Sequence, residues 1–262
     1  MDAQLKVDLA NIHIEHDLAT AQDASARNAI LDYELHLRYF IGMQRWLGLP
    51  YACQTIGSAF VVRSGVYVHM GRMNIRKAGE DFYYIHKFTK KGTVADLNEV
   101  VVYPSSRSSF RVPFGTGKAV ADILASDEDY KTYAPQSFID LSLFVNDVER
   151  LYEDTIDLDS YPIVVASYLK NQNFETVINK LKSNARSFET FRKAFFQWFD
   201  AFRLMKYLHE ARDSSYNNVV VLQAIEHAAG TLGVSFTDDK EELLSRLIEK
   251  HKEANYNQLL VS

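Results

Sequence analysis

Two adjacent acids, Glu80 and Asp81, have side chains and a position in the chain that suit acid–base chemistry. They follow Gly79 and open an apolar run, residues 82–88, whose spacing predicts a helix. Carboxylates at a helix start are stabilised by its partial positive charge by about 0.3–1 kcal/mol, and this layout aims them into a cleft. The same acids could be only an N-terminal cap, so the pattern leaves a catalytic and a structural role open.

A β-rich segment, residues 56–62, precedes these acids and begins with small residues. Because small side chains let the backbone come close to another group, this strand start is a candidate binding element. The residues that form it are Thr55, Gly57 and Ser58.

A long loop, residues 104–117, follows the acids and is rich in Ser, Pro and Gly. Loops of this length in a compact domain are often functional. Its two arginines, Arg107 and Arg111, could bind a phosphate or an acidic sugar. Arginines in loops are also common as surface charges or partners of carboxylates, so both interpretations stay open.

Two further patterns are weaker. His13 and His16 are three positions apart, and the weak alternation of residues 6–16 predicts a short strand or an edge segment, which would turn them to opposite faces. They therefore make a poor pair of metal ligands. Residues 115–119 have some likeness to a phosphate-binding loop, but they lack its four-residue gap between glycines and the Ser or Thr after the lysine.

Composition limits the possible functions. The chain has 262 residues, of which 47% are hydrophobic, so it can bury a large core. With 29 basic and 34 acidic residues, the net charge of -5 provides no broad positive field, which argues against a nucleic-acid partner. A single cysteine, Cys53, precludes an internal disulfide and fits a reducing compartment. No signal pattern and no apolar run of about 20 residues is present, so we expect a cytoplasmic protein without a transmembrane segment.

The periodicity predicts an α+β protein that is mostly α, with an α/β region over residues 1–118 and a helical bundle over residues 119–262. In the first region we expect a helix over residues 25–46 and two short strands within residues 93–103. The second region has helical spacing in these segments: 138–152, 163–169, 174–181, 188–209, 219–229 and 240–251. The aromatic residues of the segment 188–202 cover a broad helix face, which is typical of core packing.

Three sequences in this order resemble the second half of bacterial family 2 glycosyltransferases of the GT-A type: YELHLRYFIGMQRWLGLPYACQTIGSAFVVRS, GRMNIRKAGEDFYYIHKF and RSSFRVPFGTG. The resemblance covers residues 12–117. It implies a partial GT-A-like mixed sheet with flanking helices, in which Asp81 is the general base and Glu80 shapes the acceptor site. It also implies that residues 55–58 lie near the donor sugar and diphosphate, and that the loop of residues 107–117 covers the cleft.

The family's nucleotide-binding half, with its Asp-x-Asp motif, is expected to lie outside this chain. We therefore expect no cofactor within the chain, and Mg²⁺ or Mn²⁺ only if a nucleotide-binding partner supplies the site. The predicted partners are a carbohydrate acceptor and either a chain carrying that half or a second copy of this one. Alternatively, helix 25–46 and the helical tail close over the sheet.

Three functions stay open at this point. The first is the acceptor-side half of a sugar transferase, for which Asp81 would be essential once the partner is present. The second is a non-catalytic binding or scaffold module derived from such an enzyme. The third is a complete small enzyme that uses the cleft without a nucleotide, which would need a second acid or base near Asp81. Whether the chain is an enzyme is uncertain from the sequence.

Overall fold

The computed structural model describes residues 7–54, 59–74, 79–105, 115–126 and 128–253. Most of these residues are helical, and three of the strands form a small mixed sheet, which confirms the predicted α+β, mostly α class. No helix within the described ranges combines the length and the apolar character needed to cross a bilayer.

The chain divides into two compact units that do not follow the predicted border at residues 118 and 119. The first unit combines Met1–Lys131 with Val220–Ser262, and the second is Thr132–Val219. The reason is that the last two helices, α11 (Val221–Leu232) and α12 (Lys240–Glu253), pack on the long helix α1 (Ala24–Trp46). Two very short strands, β4 (Lys131–Thr132) and β5 (Val219–Val220), lie where the chain passes between the units.

The first unit is built on a three-stranded sheet in the order β2-β1-β3. The central strand β1 (Leu9–Ile14) pairs antiparallel with β2 (Phe60–Val62) and parallel with β3 (Val94–Val102). The predicted strand near residues 6–16 is confirmed, although it lies at the centre of the sheet. The prediction of two strands within residues 93–103 is wrong: β3 is one strand, and a register shift opposite Ile12 and His13 lets both of its ends pair with β1.

Helix α1 connects most parts of the first unit. Asp23 caps it by accepting the backbone N–H of Ala26 at 2.8 Å. Its apolar side chains recur at helical spacing and are fully buried, namely Ile30, Leu35, Tyr39 and Met43. The remaining helices of the unit are short: α2 (Ser64–His69), α3 (Glu80–Thr89) and α4 (Thr116–Leu124). Helix α12 also reaches the sheet, since Asn98 on β3 donates to the carbonyl of Lys252 at 3.1 Å.

The second unit is helical and has an aromatic core. Its helices are α5 (Pro135–Asn146), α6 (Val148–Glu153), α7 (Ile163–Asn171), α8 (Phe174–Asn184), α9 (Phe188–Trp198) and α10 (Ala201–Ser214). Phe144 lies 5.2 Å from Phe174 and 5.4 Å from Phe195, between ring centroids. The core role predicted for the aromatic segment is thus confirmed at Phe195, which is fully buried.

Two segments predicted as continuous helices in this unit are each divided. Residues 138–152 fall into α5 and α6, and residues 188–209 into α9 and α10. The second division has a clear cause, because the side chain of Asp200 accepts the backbone N–H of Arg203 at 3.1 Å and so begins a new helix.

Candidate active site

A buried histidine at the end of strand β1 joins two helices of the first unit. The ring of His16 lies two residues beyond β1, and its side chain has no exposed surface. Its Nδ1 is 2.6 Å from Oε1 of Glu34 on α1, and its Nε2 is 3.1 Å from Oγ1 of Thr116 on α4. We call Thr116, His16 and Glu34 the triad.

The carboxylate of the triad is held on both oxygens. Oε1 of Glu34 accepts the backbone N–H of His16 at 3.0 Å as well as the contact from its ring. Oε2 accepts Nε–H of Arg38, one helical turn later, at 3.1 Å, and Arg38 also donates to the carbonyl of Ile14. Burial by itself would raise the pKa of Glu34, but the His16 hydrogen bond and the Arg38 charge outweigh it and lower this pKa.

The ionised carboxylate of Glu34 fixes the direction of its hydrogen bond with the ring. An ionised Glu34 can only accept, so Nδ1 of His16 carries the proton between them. In the tautomer with a proton on Nδ1 alone, Nε2 is an acceptor to which the hydroxyl of Thr116 can donate. The phenol of Tyr33 shares a hydrogen bond with Thr116, and burial raises the pKa of Tyr33 to about 12, so this phenol keeps its proton at neutral pH. The arrangement places a proton acceptor directly against the Thr116 hydroxyl.

Thr116 is the first residue of helix α4, and it is only half-buried. The residue before it, Gly115, has a φ of 102°, a left-handed conformation that other residues rarely adopt. The first helical hydrogen bond is donated by Ala119 to the carbonyl of Gly115, so the preceding N–H groups have no acceptor within the helix. Such a helix start favours negative charge close to the Thr116 hydroxyl.

The acids predicted from the sequence lie elsewhere in the first unit. Glu80 and Asp81 form the first turn of helix α3, both half-buried, after Gly79 with a φ of 75°. One carboxylate oxygen of Asp81 accepts the backbone N–H of Phe82 at 2.7 Å. Their predicted catalytic roles stay predictions. The predicted binding residues lie outside the described part of the chain: Thr55, Gly57, Ser58, Arg107 and Arg111.

Sequence reasoning did not find the triad. It weighed His16 only as half of a metal pair, it placed Thr116 in a long loop and in a poor match to a phosphate loop, and it passed over Glu34. One signal was present in the sequence: Glu34 and Arg38 are four residues apart on the helix that carries the buried apolar stripe. A charged pair of this spacing that falls on the apolar face of a helix is a candidate for an ion pair inside the core.

The sequence and the fold were also compared with known proteins. No protein-family model, no curated protein and no solved structure matches this chain.

Proposed function

We propose that this protein is an acyl-transfer enzyme of the hydrolase class, with Thr116 as nucleophile, His16 as general base and Glu34 as the group that orients His16. The observation that carries the proposal is the continuous hydrogen-bonded chain from Oγ1 of Thr116 through both ring nitrogens of His16 to Glu34. A nucleophile, a base in contact with it and a third group behind the base are the parts of this chemistry, whatever their order in the sequence.

The proposed reaction has two halves. In the first, Oγ1 of Thr116 attacks the carbonyl carbon of an ester while its proton passes to Nε2 of His16. The tetrahedral intermediate then expels the alcohol, which takes the proton from Nε2, and an acyl-threonine remains. In the second half, a water molecule attacks the acyl carbon, gives its proton to Nε2, and the Thr116 oxygen leaves and takes that proton back.

Two neighbouring features support these steps. The ionised Glu34 stabilises the positive charge that His16 gains when it accepts the proton, and Arg38 keeps Glu34 in place. The N–H groups at the start of α4, which have no acceptor within the helix, favour the negative charge that develops on the carbonyl oxygen.

The test is hydrolysis of p-nitrophenyl acetate, followed by intact-mass analysis of rapidly quenched protein. We expect an acetyl group on Thr116, and a rate that falls by about 100-fold or more in Thr116→Val but far less in Thr116→Ser, which keeps a hydroxyl. Thr89→Val is the matched control, because the Thr89 hydroxyl also lies beside a histidine ring, 3.3 Å from Nδ1 of His86. If the triad only joins β1, α1 and α4 structurally, Thr116→Val and Thr89→Val will hydrolyse the ester at the same rate.

The glycosyltransferase-like function, the partner chain and the cytoplasmic location stay predictions, as does the alternative of a non-catalytic binding module. A titration with nucleotide sugars and Mn²⁺, read by the unfolding midpoint, tests the first of them. Binding at about 100 times the dissociation constant stabilises the folded state by roughly 2.7 kcal/mol. If the unfolding midpoint stayed unchanged with every nucleotide sugar, this chain would not bind the donor by itself.

A further inference from the structure

A tyrosine of helix α1 lies against the Thr116 hydroxyl. Tyr33 directly precedes Glu34 in the chain, and it is 8% exposed. Its ring packs edge-on against the ring of His16, with 6.3 Å between the centroids and 64° between the planes. Its phenol group shares a hydrogen bond with the side chain of Thr116. Helix α1 therefore supplies two consecutive residues here: Glu34 contacts the proposed base and Tyr33 contacts the proposed nucleophile.

The Thr116 hydroxyl has one proton and two partners. A threonine hydroxyl donates one hydrogen bond and accepts up to two. Nε2 of His16 lies 3.1 Å from Oγ1 of Thr116, and the phenol of Tyr33 is the second partner. Because a single proton is not donated to both partners, one of the two must donate to Oγ1.

Two arrangements of protons satisfy both contacts. In the first, the Thr116 proton points to Nε2 of His16 and the phenol donates to Oγ1. In the second, a proton on Nε2 points to Oγ1 and the Thr116 proton points to the phenol oxygen. Only the first leaves Nε2 able to take the Thr116 proton, with the ring proton on Nδ1 against Glu34. General-base activation of Thr116 by His16 therefore requires Tyr33 to be a donor.

Tyr33 is suited to donate a hydrogen bond without losing its proton. Burial is the main cause that raises the pKa of its phenol to about 12, against a smaller lowering by the hydrogen bond with Thr116. The phenol is therefore protonated at neutral pH. Since Oγ1 passes its own proton to His16 while it bonds to the carbonyl carbon, it carries only part of a negative charge, which a hydrogen bond from the phenol stabilises.

We propose that Tyr33 is a further catalytic residue, which donates a hydrogen bond to Oγ1 of Thr116 during acyl transfer. This role rests on the proposed function. In the first half of the reaction, the phenol stabilises the negative charge that develops on Oγ1 as Nε2 of His16 removes the proton. In the second half, it stabilises the same atom as the bond to the acyl carbon breaks. The phenol proton stays on Tyr33 throughout, and the ester oxygen formed in between is a weaker acceptor, so the hydrogen bond is strongest in the two transition states.

The first experiment measures hydrolysis of p-nitrophenyl acetate by Tyr33→Phe, which removes only the hydroxyl and keeps the ring that packs on His16. We expect kcat to fall by about 100-fold with little change in KM, as for the loss of one donor to a developing negative charge. Tyr84→Phe is the matched control. Tyr84 is a buried tyrosine of the same unit, and its hydroxyl donates to the carbonyl of Tyr67 at 3.5 Å, so this variant should keep the kcat of the unmodified protein.

The second experiment replaces Tyr33 by difluorotyrosine, introduced during translation at a nonsense codon. The two fluorines lower the pKa of the phenol with little change in size. Once this phenol ionises it no longer donates, so kcat should fall on the alkaline side at a pH where the unmodified protein is still active. A tyrosine that only fills space would leave the alkaline side of the pH profile unchanged.

The outcomes distinguish this role from the proposed function. Intact-mass analysis first shows whether the unmodified protein forms an acetyl group on Thr116, and without that group both proposals are overturned. If the acetyl group forms but Tyr33→Phe keeps its kcat, or the fluorinated protein keeps the unmodified pH profile, Tyr33 is not a catalytic donor and Thr116 remains the nucleophile. If Tyr33→Phe does not fold, the fluorinated protein decides by itself, because it retains the ring and the hydroxyl.

Discussion

Helices α3 and α4 of the first unit begin in nearly the same way. Each follows a glycine in the left-handed region, with φ of 75° at Gly79 and 102° at Gly115, and each has a polar residue in its first turn. At α3 that residue is Asp81, whose carboxylate accepts the N–H of the next residue, Phe82. At α4 it is Thr116, whose hydroxyl meets a histidine that lies 100 positions earlier in the chain.

The difference shows what a local motif leaves undetermined. Both helix starts favour negative charge, and the acidic one is the more conspicuous in the sequence. Chemistry also needs a base aimed at a nucleophile and a third group that holds the base. Those groups reach Thr116 through the packing of β1 and α1, and no pattern within α4 announces them.

The largest expected effect is on the rate of ester hydrolysis, and it distinguishes the start of α4 from the start of α3. His16→Ala should lower kcat/KM for p-nitrophenyl acetate by about 10²–10⁴-fold, because the Thr116 proton then has no acceptor. Asp81→Asn should leave this rate unchanged. Steady-state kinetics of the two purified variants check the prediction, and their circular dichroism spectra confirm that both are folded. If the rate instead fell in Asp81→Asn and stayed unchanged in His16→Ala, the catalytic residues would lie at the start of α3 and not in the triad.

The next effect concerns stability. Glu34→Gln should destabilise the protein by about 3–5 kcal/mol, because Arg38 would lose its charged partner inside the core, where both side chains are 1% exposed. Glu80→Gln, the matched change at the start of α3, should cost less than about 1 kcal/mol because that side chain is only half-buried. Urea unfolding measures both. Equal losses of unfolding free energy would mean that the buried Glu34–Arg38 pair contributes no more to stability than the half-buried Glu80.

Sequence reasoning identified those parts of the fold that depend on local pattern. Helix α1 was predicted to begin within one residue of its observed start, and strand β1 was also found. The divided helices α9 and α10 were missed, because the apolar spacing continues across Asp200 while its capping hydrogen bond interrupts the backbone.

The candidate site was much harder to predict than the fold. Glu34 and Thr116 are 18 and 100 positions from His16, so only tertiary packing brings the three together. A single sequence shows the residue types and their local spacing. It does not show which helix start lies next to a base, because long-range contacts determine that. The usable clue was the position of Glu34 beside the apolar stripe of α1. A carboxylate that is buried there needs charged or hydrogen-bonding partners, because an unpaired charge is rarely buried.

A third prediction uses pH to test three histidines of the first unit, of which His13 and His251 are buried and His36 is half-buried. Burial first, and then the charges of Arg38 and Lys252, lower the pKa of His13 to about 4, and burial also lowers the pKa of His36 to about 4. The pKa of His251 is lowered well below 6.5, again chiefly by burial. These rings stay neutral in the folded protein while the unfolded chain takes up protons. The contribution of these neutral rings to the free energy of unfolding is therefore complete above about pH 6.5, and it is lost as the pH falls toward about 4.

Urea midpoints at pH 7 and pH 5 measure this loss. Over that interval the lowered pKa of Glu34 contributes little, because its stabilising effect fades only at more acidic pH. Asp96, whose pKa burial raises, acts with the opposite sign and reduces the total. His251→Leu should weaken the dependence on pH, and His227→Leu should retain it. Equal midpoints at pH 7 and pH 5 would contradict the neutral state of the buried rings.

The smallest effect tests whether the acids of α3 act simply through the helix charge. Asp81→Asn should lower the stability by about 0.3–1 kcal/mol, because the carboxylate near the helix start is replaced by a neutral amide. Since Asp81 is half-buried, raising the sodium gluconate concentration should shrink this difference by screening. The measurement is the difference between urea midpoints of the variant and the unmodified protein at low and high salt. A loss of several kcal/mol that salt does not change would show that Asp81 belongs to a buried site, and α3 would then resemble α4 in more than its first turn.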